Sequence, residues 1–298
     1  MEKVCGNLMD REDIIVPEVL LKPIEKKIIR ELDKIGLFYR IFSRVKTNDS
    51  IEKKFSFKDY SDNKKMQDII GVRIVLYFND DIEICGKLIS RIYEKLGESI
   101  DKPDSSTFKP TRTNIIYRLD DVTTREILPA IHGKFIDNTF ELQLRTVFSE
   151  GWHEVEHDLR YKCEEEWRAY DEHSRTLNGL VATLETCDWS IMTLFSDLSY
   201  RNYRDSNIIP MMRNKFRLRF ENTPLNADIE TILLKDNKKL LKNLFRIDRN
   251  ELLEKLSEIK IPIPLNFNNI LYVCNYYYLS SGELQSITPT SITRILQK

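Results

Sequence analysis

Glycine is scarce in this chain, at 9 of 298 residues. Neither G-x-G-x-x-G nor G-x-x-x-x-G-K-S/T occurs, so no glycine loop of either standard kind can cradle phosphates through backbone N–H groups. A nucleotide would have to be held mainly by side chains. Cysteine is sparse too. Cys5, Cys85, Cys163, Cys187 and Cys274 are odd in number and scattered, with no C-x-x-C pair, which speaks against a disulfide framework and against a structural zinc site. Long apolar runs are missing. Ile270–Leu279 is interrupted by Asn275 and falls well short of the ~20 residues of a membrane helix, and the charged stretch Met1–Glu12 has no apolar signal-peptide core. Net charge is missing as well: 46 Lys and Arg face 47 Asp and Glu, which excludes a broadly polybasic protein and leaves only local basic sites. The expectation is a soluble, reduced, cytoplasmic protein.

What is present is enough to build a core, with 41% hydrophobic and 31% charged residues in a length suited to roughly one or two domains. No repeat or low-complexity tract stands out. Over residues 17–43, Val19, Leu20, Ile24, Ile28, Ile29, Leu32, Ile35 and Leu37 recur at three- and four-residue spacing and predict helices, the main one starting at Pro23. Gly71–Phe78 is a β-branched and aromatic run of strand length. Asp80 and Asp81 then open a helix with the face Ile84, Leu88, Ile89, Ile92 and Leu96, and residues 98–110, broken by Pro103 and Pro110, read as a loop. Asn114–Leu119 reads as a strand. Phe140–Arg145 alternates, with Glu141, Gln143 and Arg145 on one face and Phe140, Leu142 and Leu144 on the other. Thr146–Lys162 reads as a helix with the apolar stripe Phe148, Trp152, Val155 and Leu159, its polar side carrying Glu150, His153, Glu154, His157 and Arg160. A long helical pattern covers Trp167–Ser199, and 207–298 is charged and helix-rich. Strands interleaved with helices, then helices alone, predict an α/β (α+β) core with a helical C-terminal extension.

Three clusters could carry chemistry. In Arg44–Lys54, a helix capped by Asp49 or Ser50 would gather Arg44, Lys46, Lys53 and Lys54 near its free N–H groups, an arrangement suited to a polyphosphate, or else simply a solvated basic turn. Asp68 precedes the Gly71 strand, and Glu141 lies on the polar face of the 140–145 strand. If those strands are neighbours, the two acids could hold Mg²⁺, which favours hard oxygen ligands completed by phosphate oxygens; unrelated surface acids are the plainer alternative. His153-Glu154-Val155-Glu156-His157 fits H-E-x-x-H and so a zinc peptidase. Its charged interior position at Glu156 and the missing H-x-x-G-x-x-H continuation favour a polar helix face near a ligand.

Taken together, these clusters resemble the synthetase domain of the RelA/SpoT family, the (p)ppGpp synthetases that move pyrophosphate from ATP to a nucleotide 3′-hydroxyl. Three segments carry the resemblance: Arg44-x-Lys46-x-x-x-Ser50-x-x-x-Lys54; Asp68-Ile-Ile-Gly71-Val-Arg73-Ile; and Glu141-Leu-Gln143-Leu-Arg145-Thr146 followed by Trp152-x-x-x-Glu156-His157-x-Leu159-x-Tyr161-Lys162. It implies a nucleotidyltransferase-like mixed sheet flanked by helices. Residues 1–43 would be an N-terminal helical segment, 44–200 the synthetase domain, and 207–298 a region for partner binding, oligomerisation or self-inhibition. It implies ATP as donor, bound by Arg44, Lys46, Ser50, Lys54 and Arg73, with Arg73 orienting phosphates or Asp68. Asp68 and Glu141 would be catalytic and hold Mg²⁺, and Lys109, Asn114, Tyr117, Gln143, Arg145 and His157 would face the acceptor. The family's acceptor loop reads G-Y-x-S-x-H, its Tyr stacking on guanine. Here, aligned on Lys109-Pro110, Thr113 stands for that Tyr and Tyr117 for the His, and a threonine cannot supply the ~1–3 kcal/mol of base–aromatic stacking. GDP or GTP is the default acceptor by family. A toxin-like member modifying tRNA or an adenine nucleotide, and a catalytically silent nucleotide sensor, are the alternatives. The short stretch before Arg44 leads us to expect a small stand-alone protein without the family's hydrolase domain.

Overall fold

The computed structural model describes residues 16–61, 63–100, 112–132 and 134–297. Helix α1 (Leu21–Lys34) buries Leu21, Ile24, Ile28 and Leu32 along one stripe. Pro23 sits inside its first turn rather than opening it, where a missing N–H leaves no hydrogen bond unmade. The helix ends where Gly36, at φ +71°, donates its N–H to the Asp33 carbonyl (3.0 Å) while Leu37 donates to Leu32 (3.3 Å). Residues 39–43, expected to be helical, instead belong to strand β1 (Tyr39–Val45). Arg40, Phe42 and Arg44 alternate there with more protected residues.

Helix α2 (Asn48–Phe57) follows, capped by Thr47 rather than by Asp49 or Ser50. Then come β2 (Ile70–Leu76), α3 (Asp81–Ile92) and β3 (Lys95–Ile100). The last of these overlaps part of the expected 98–110 loop, of which 101–110 lies outside the described residues. β4 (Thr113–Arg118), α4 (Asp121–Ile131) and β5 (Thr139–Thr146) complete the sheet. Its order is β1-β2-β5-β4-β3, with β2 and β5 parallel and the other neighbours antiparallel. The fold is thus a mixed five-stranded sheet flanked by helices.

One sheet face is dry. Val72, Ile74, Ile115, Tyr117, Phe140, Leu142 and Leu144 are buried there, and a Cβ added to Gly86 of α3 would lie 3.7 Å from both Ile115 and Leu144. The other face carries the polar members of the same strands and is flanked by α5 (Val147–Glu156) and a π-helical turn over His157–Tyr161. Val155 and Leu159, expected in the apolar stripe, are exposed; Trp152 alone is buried in this helix, its indole N–H donating to the Leu177 carbonyl at 3.1 Å. The short α6 (Glu164–Trp167) and the 34-residue α7 (Asp171–Arg204) follow.

The C-terminal region is helical: α8 (Ile208–Phe216), the kinked α9 (Ala227–Arg246), α10 (Arg249–Glu258), α11 (Phe267–Cys274), α12 (Gly282–Ser286) and α13 (Thr290–Leu296). It does not hang free of the sheet. Ile28, Leu88, Met211, Phe216, Leu253 and Ile270 belong to one continuous core. The Gly36 carbonyl accepts from Arg219 N–H (2.9 Å), Lys34 Nζ donates to the Ser257 carbonyl (2.6 Å), and Arg249 pairs with the fully buried Asp81 at 2.6 Å. No helix among the described residues is long and apolar enough to cross a membrane.

Candidate active site

The polar sheet face floors an open cleft of about 1030 Å³. β1 contributes Arg40, Phe42 and Arg44; the segment before α2 contributes Lys46, α2 itself Lys54, and the segment before β2 Asp68; β2 contributes Arg73. β4 and β5 add Asn114, Glu141, Gln143 and Arg145, and α5 with its π-helical extension adds Glu150, His153, Glu154, His157, Tyr161 and Lys162. The register explains the convergence. Gly71 pairs with Glu141 across the parallel β2–β5 ladder, and Asp68 lies three residues before Gly71. The two acids, 73 positions apart in sequence, therefore enter the cleft from the same end of adjacent strands.

Asp68 Oδ2 accepts from both Lys46 Nζ and Lys54 Nζ. Burial works against its charge, but the hydrogen bonds and charges of the two lysines prevail and hold its carboxyl below the usual carboxylate range. Lys54 comes from the middle of α2 and turns inward, whereas neighbouring Lys53 is exposed. On β5, Gln143 Nε2 donates to Glu141 Oε2 (2.7 Å) and Gln143 Oε1 accepts from Arg73 Nε (3.0 Å). Arg73 Nη1 reaches Glu150 Oε1 at 2.7 Å and also Glu154, so it turns away from Asp68 toward α5. Arg145 is 2% exposed and donates to the Leu144 carbonyl (2.8 Å) and to Asn114 Oδ1 (3.0 Å). Burial, then the charge of Arg73, lowers its guanidinium to about 10. His153, with its Nδ1 buried and unpartnered, is pushed down to about 4 by burial and by Arg145, Arg112 and Arg73. His157 Nδ1 meets Asp158 at 2.9 Å, and its ring stacks on Tyr161.

Two expected site residues do not reach the cleft, and a third falls outside the described residues. Ser50 is exposed in the first turn of α2, where it accepts from the Thr47 hydroxyl (2.9 Å) and lines no part of the cavity. Tyr117 is fully buried on the opposite, dry face, because β4 directs Thr113, Ile115 and Tyr117 there and Asn114, Ile116 and Arg118 to the other side. Its hydroxyl meets Ser90 Oγ at 2.8 Å. Lys109 lies outside the described residues. Sequence reading did not single out Arg40, Phe42 and Arg112 as site residues. The alternation of β1, with Phe42 55% exposed beside two arginines, is the signal that would have found the first two.

Asp68 and Glu141 are hard oxygen donors, and no group of three His, Cys, Asp or Glu side chains converges as a metal-holding set among the described residues. Two carboxylates in a cation-lined cleft fit Mg²⁺, which takes few protein ligands and completes its shell with phosphate oxygens and water. The same observation leaves His153 and His157 without a third zinc ligand of that kind.

A half-buried histidine and a buried aspartate near α5 set opposite pH dependences. His153 resists protonation when folded but accepts a proton near its ordinary 6.5 when unfolded, so it adds stability as pH rises from about 4 to about 6.5. Asp188 on α7 accepts from the Thr146 hydroxyl (2.8 Å) and is raised by burial from 3.8 to about 6. It therefore removes stability as pH rises from about 4 to about 6. Relative to wild type, urea midpoints of His153→Gln should fall with rising pH across this window, and those of Asp188→Asn should rise. Identical profiles for all three proteins would contradict the assignment.

Among solved structures, the chain is similar to small alarmone synthetase 1 from Bacillus subtilis, at 19% identity and a TM-score of 0.44 over 59% of this chain and 93% of that one. A GTP pyrophosphokinase family protein from Streptococcus pneumoniae matches at 20% identity and TM-score 0.43 over 58% of this chain and 85% of that one. The Bacillus subtilis synthetase 1 bound to its product pppGpp matches at 22% identity and TM-score 0.42, covering 58% and 88%. A search of curated proteins finds no match. Residues 43–166, which hold the cleft lining apart from Arg40 and Phe42, match the region found in RelA/SpoT proteins.

Proposed function

We propose that the chain is an ATP-dependent pyrophosphokinase that transfers the β,γ-pyrophosphoryl group to a nucleotide 3′-hydroxyl. The observation that carries this reading is the convergence of Asp68 and Glu141 in one cleft with Arg44, Lys46 and Lys54. Arg44, Lys46 and Lys54 bind the donor polyphosphate by charge, in place of a glycine loop. Glu141, steadied by Gln143, accepts the proton of the acceptor hydroxyl. The hydroxyl oxygen forms a bond to the β-phosphorus as the bond from the α,β-bridging oxygen to that phosphorus breaks, and AMP departs with the bridging oxygen and its electron pair. Mg²⁺ held by Asp68 and Glu141 would screen phosphate charge when bound. Positioning and charge complementarity supply most of the acceleration.

GDP or GTP is the default acceptor. A second reading, a toxin-like enzyme acting on tRNA or an adenine nucleotide, is favoured by one observation: Thr113 and Tyr117, which align with the family's stacking Tyr and its His, are both buried on the far sheet face. Incubation with Mg²⁺, γ-labelled ATP and a panel of GDP, GTP, adenine nucleotides and tRNA identifies the acceptor. Label should enter one class and be lost in Glu141→Gln. ATP binding with no transfer to any of them would instead mark a silent sensor. Residues 207–298 are proposed to regulate or to bind partners, including a second copy of the chain, and a cytoplasmic location follows from the proposed substrates.

A further inference from the structure

We propose that Glu150 is a positioning residue that sets the orientation of the Glu141 carboxylate through Arg73 and Gln143. The relay is continuous: Glu150 Oε1 accepts from Arg73 Nη1 (2.7 Å), Arg73 Nε donates to Gln143 Oε1 (3.0 Å), and Gln143 Nε2 donates to Glu141 Oε2 (2.7 Å). Its direction is dictated by donor count. A guanidinium only donates, so Arg73 admits only the oxygen end of the Gln143 amide, and the NH₂ end must then face Glu141. A reversed amide would set its oxygen against the carboxylate. One Glu141 oxygen is thereby engaged, and the other is left for the acceptor hydroxyl.

What aims Arg73 is α5. Glu150 occupies the first turn of that helix, just after a capping box formed by Thr146 and Ser149 that fixes where the helix leaves β5. Glu150 and Arg73 are largely buried, with side-chain exposures of 15% and 19%, whereas Glu154 is 53% exposed. The Glu154 contact is therefore more strongly screened by solvent and the weaker anchor. Burial opposes the Arg73 charge, yet the hydrogen bond and charge of Glu150 raise its guanidinium above the ordinary arginine value. Glu150 touches neither Glu141 nor any group that reacts, so it acts through two intermediaries.

This inference rests on the pyrophosphokinase reading for its kinetics, and the test separates the two. In Glu150→Ala, kcat is expected to fall roughly 10- to 100-fold, the scale of a misplaced catalytic group, with KM for ATP and acceptor within about two-fold. Glu150→Gln, which keeps a carbonyl for Arg73, should recover part of the loss. In a Gln143→Ala background, Glu150→Ala should add almost nothing. A full additional loss there, or a wild-type kcat in Glu150→Ala, overturns the relay. Independently of turnover, the Gln143 side-chain amide resonances in a ¹H–¹⁵N spectrum should move in Glu150→Ala and stay fixed in a Lys53→Ala control. Unmoved resonances overturn the relay as well. Should the wild type transfer no pyrophosphate, the proposed function fails, and the amide signal alone decides the relay.

Discussion

Replacing Glu141 with Gln is expected to lower kcat by about 10²–10⁴-fold, the range typical of a lost general base, while leaving the fold intact. The substitution is nearly isosteric, and the Gln143 Nε2 that now donates to Glu141 Oε2 at 2.7 Å can donate equally to an amide oxygen. What is lost is the proton acceptor and one of two negative charges. The KM for ATP should change little, because Arg44, Lys46 and Lys54 remain in place. Asp68→Asn should behave differently. It releases the two ammonium groups that share Asp68 Oδ2, so donor binding and turnover should change together. Steady-state kinetics of both variants, with melting temperatures as a control for folding, check this pair. Equal kcat for wild type and Glu141→Gln would remove Glu141 from the chemistry.

The largest expected effect on stability lies on the other side of the sheet. Arg249 pairs with Asp81 at 2.6 Å, and its Nε donates to the Phe216 carbonyl at 2.7 Å. Arg217, also over Asp80, completes a buried cluster that joins the start of α3 to the C-terminal helices. Burial raises the Asp81 carboxyl, and Arg249 is the main counterweight. Arg249→Ala leaves a carboxylate with no accessible surface and should cost about 3–5 kcal/mol, or roughly 6–10 °C in melting temperature at about 2 °C per kcal/mol. Restoring complementarity by Asp81→Leu with Arg249→Met should recover most of the loss, since an apolar pair of similar volume avoids the desolvation of both ions. A melting temperature unchanged in Arg249→Ala would show that the C-terminal helices do not depend on this link.

The strands that floor the cleft were legible because they are regular. β5 alternates from Phe140 to Arg145, and β2 is a β-branched run, so period and composition point the same way. The helix after β5 was legible in extent, but its apolar stripe was not, because the π-turn at His157–Tyr161 shifts the register and leaves Leu159 exposed. β1 was hidden because helical spacing from Val19 to Leu37 runs straight up to it. β3 was hidden because it is almost wholly exposed, and an edge strand with no buried face has no alternation to read. Tyr117 shows that motif alignment alone does not fix a strand face. In a strand the face is set by alternation, and β4 places Tyr117 in the core whatever motif position it aligns with. The Glu150–Arg73 contact joins residues 77 apart and needs the register of β2 beside β5, which composition and period do not contain.

The stoichiometry of products tests the central claim most directly. With wild-type protein, Mg²⁺, γ-labelled ATP and the acceptor identified from the panel, each labelled product molecule should be accompanied by one AMP, with neither ADP nor free phosphate accumulating. Formation of ADP and phosphate, or ATP recovered intact from a saturated protein, would contradict pyrophosphate transfer in this cleft.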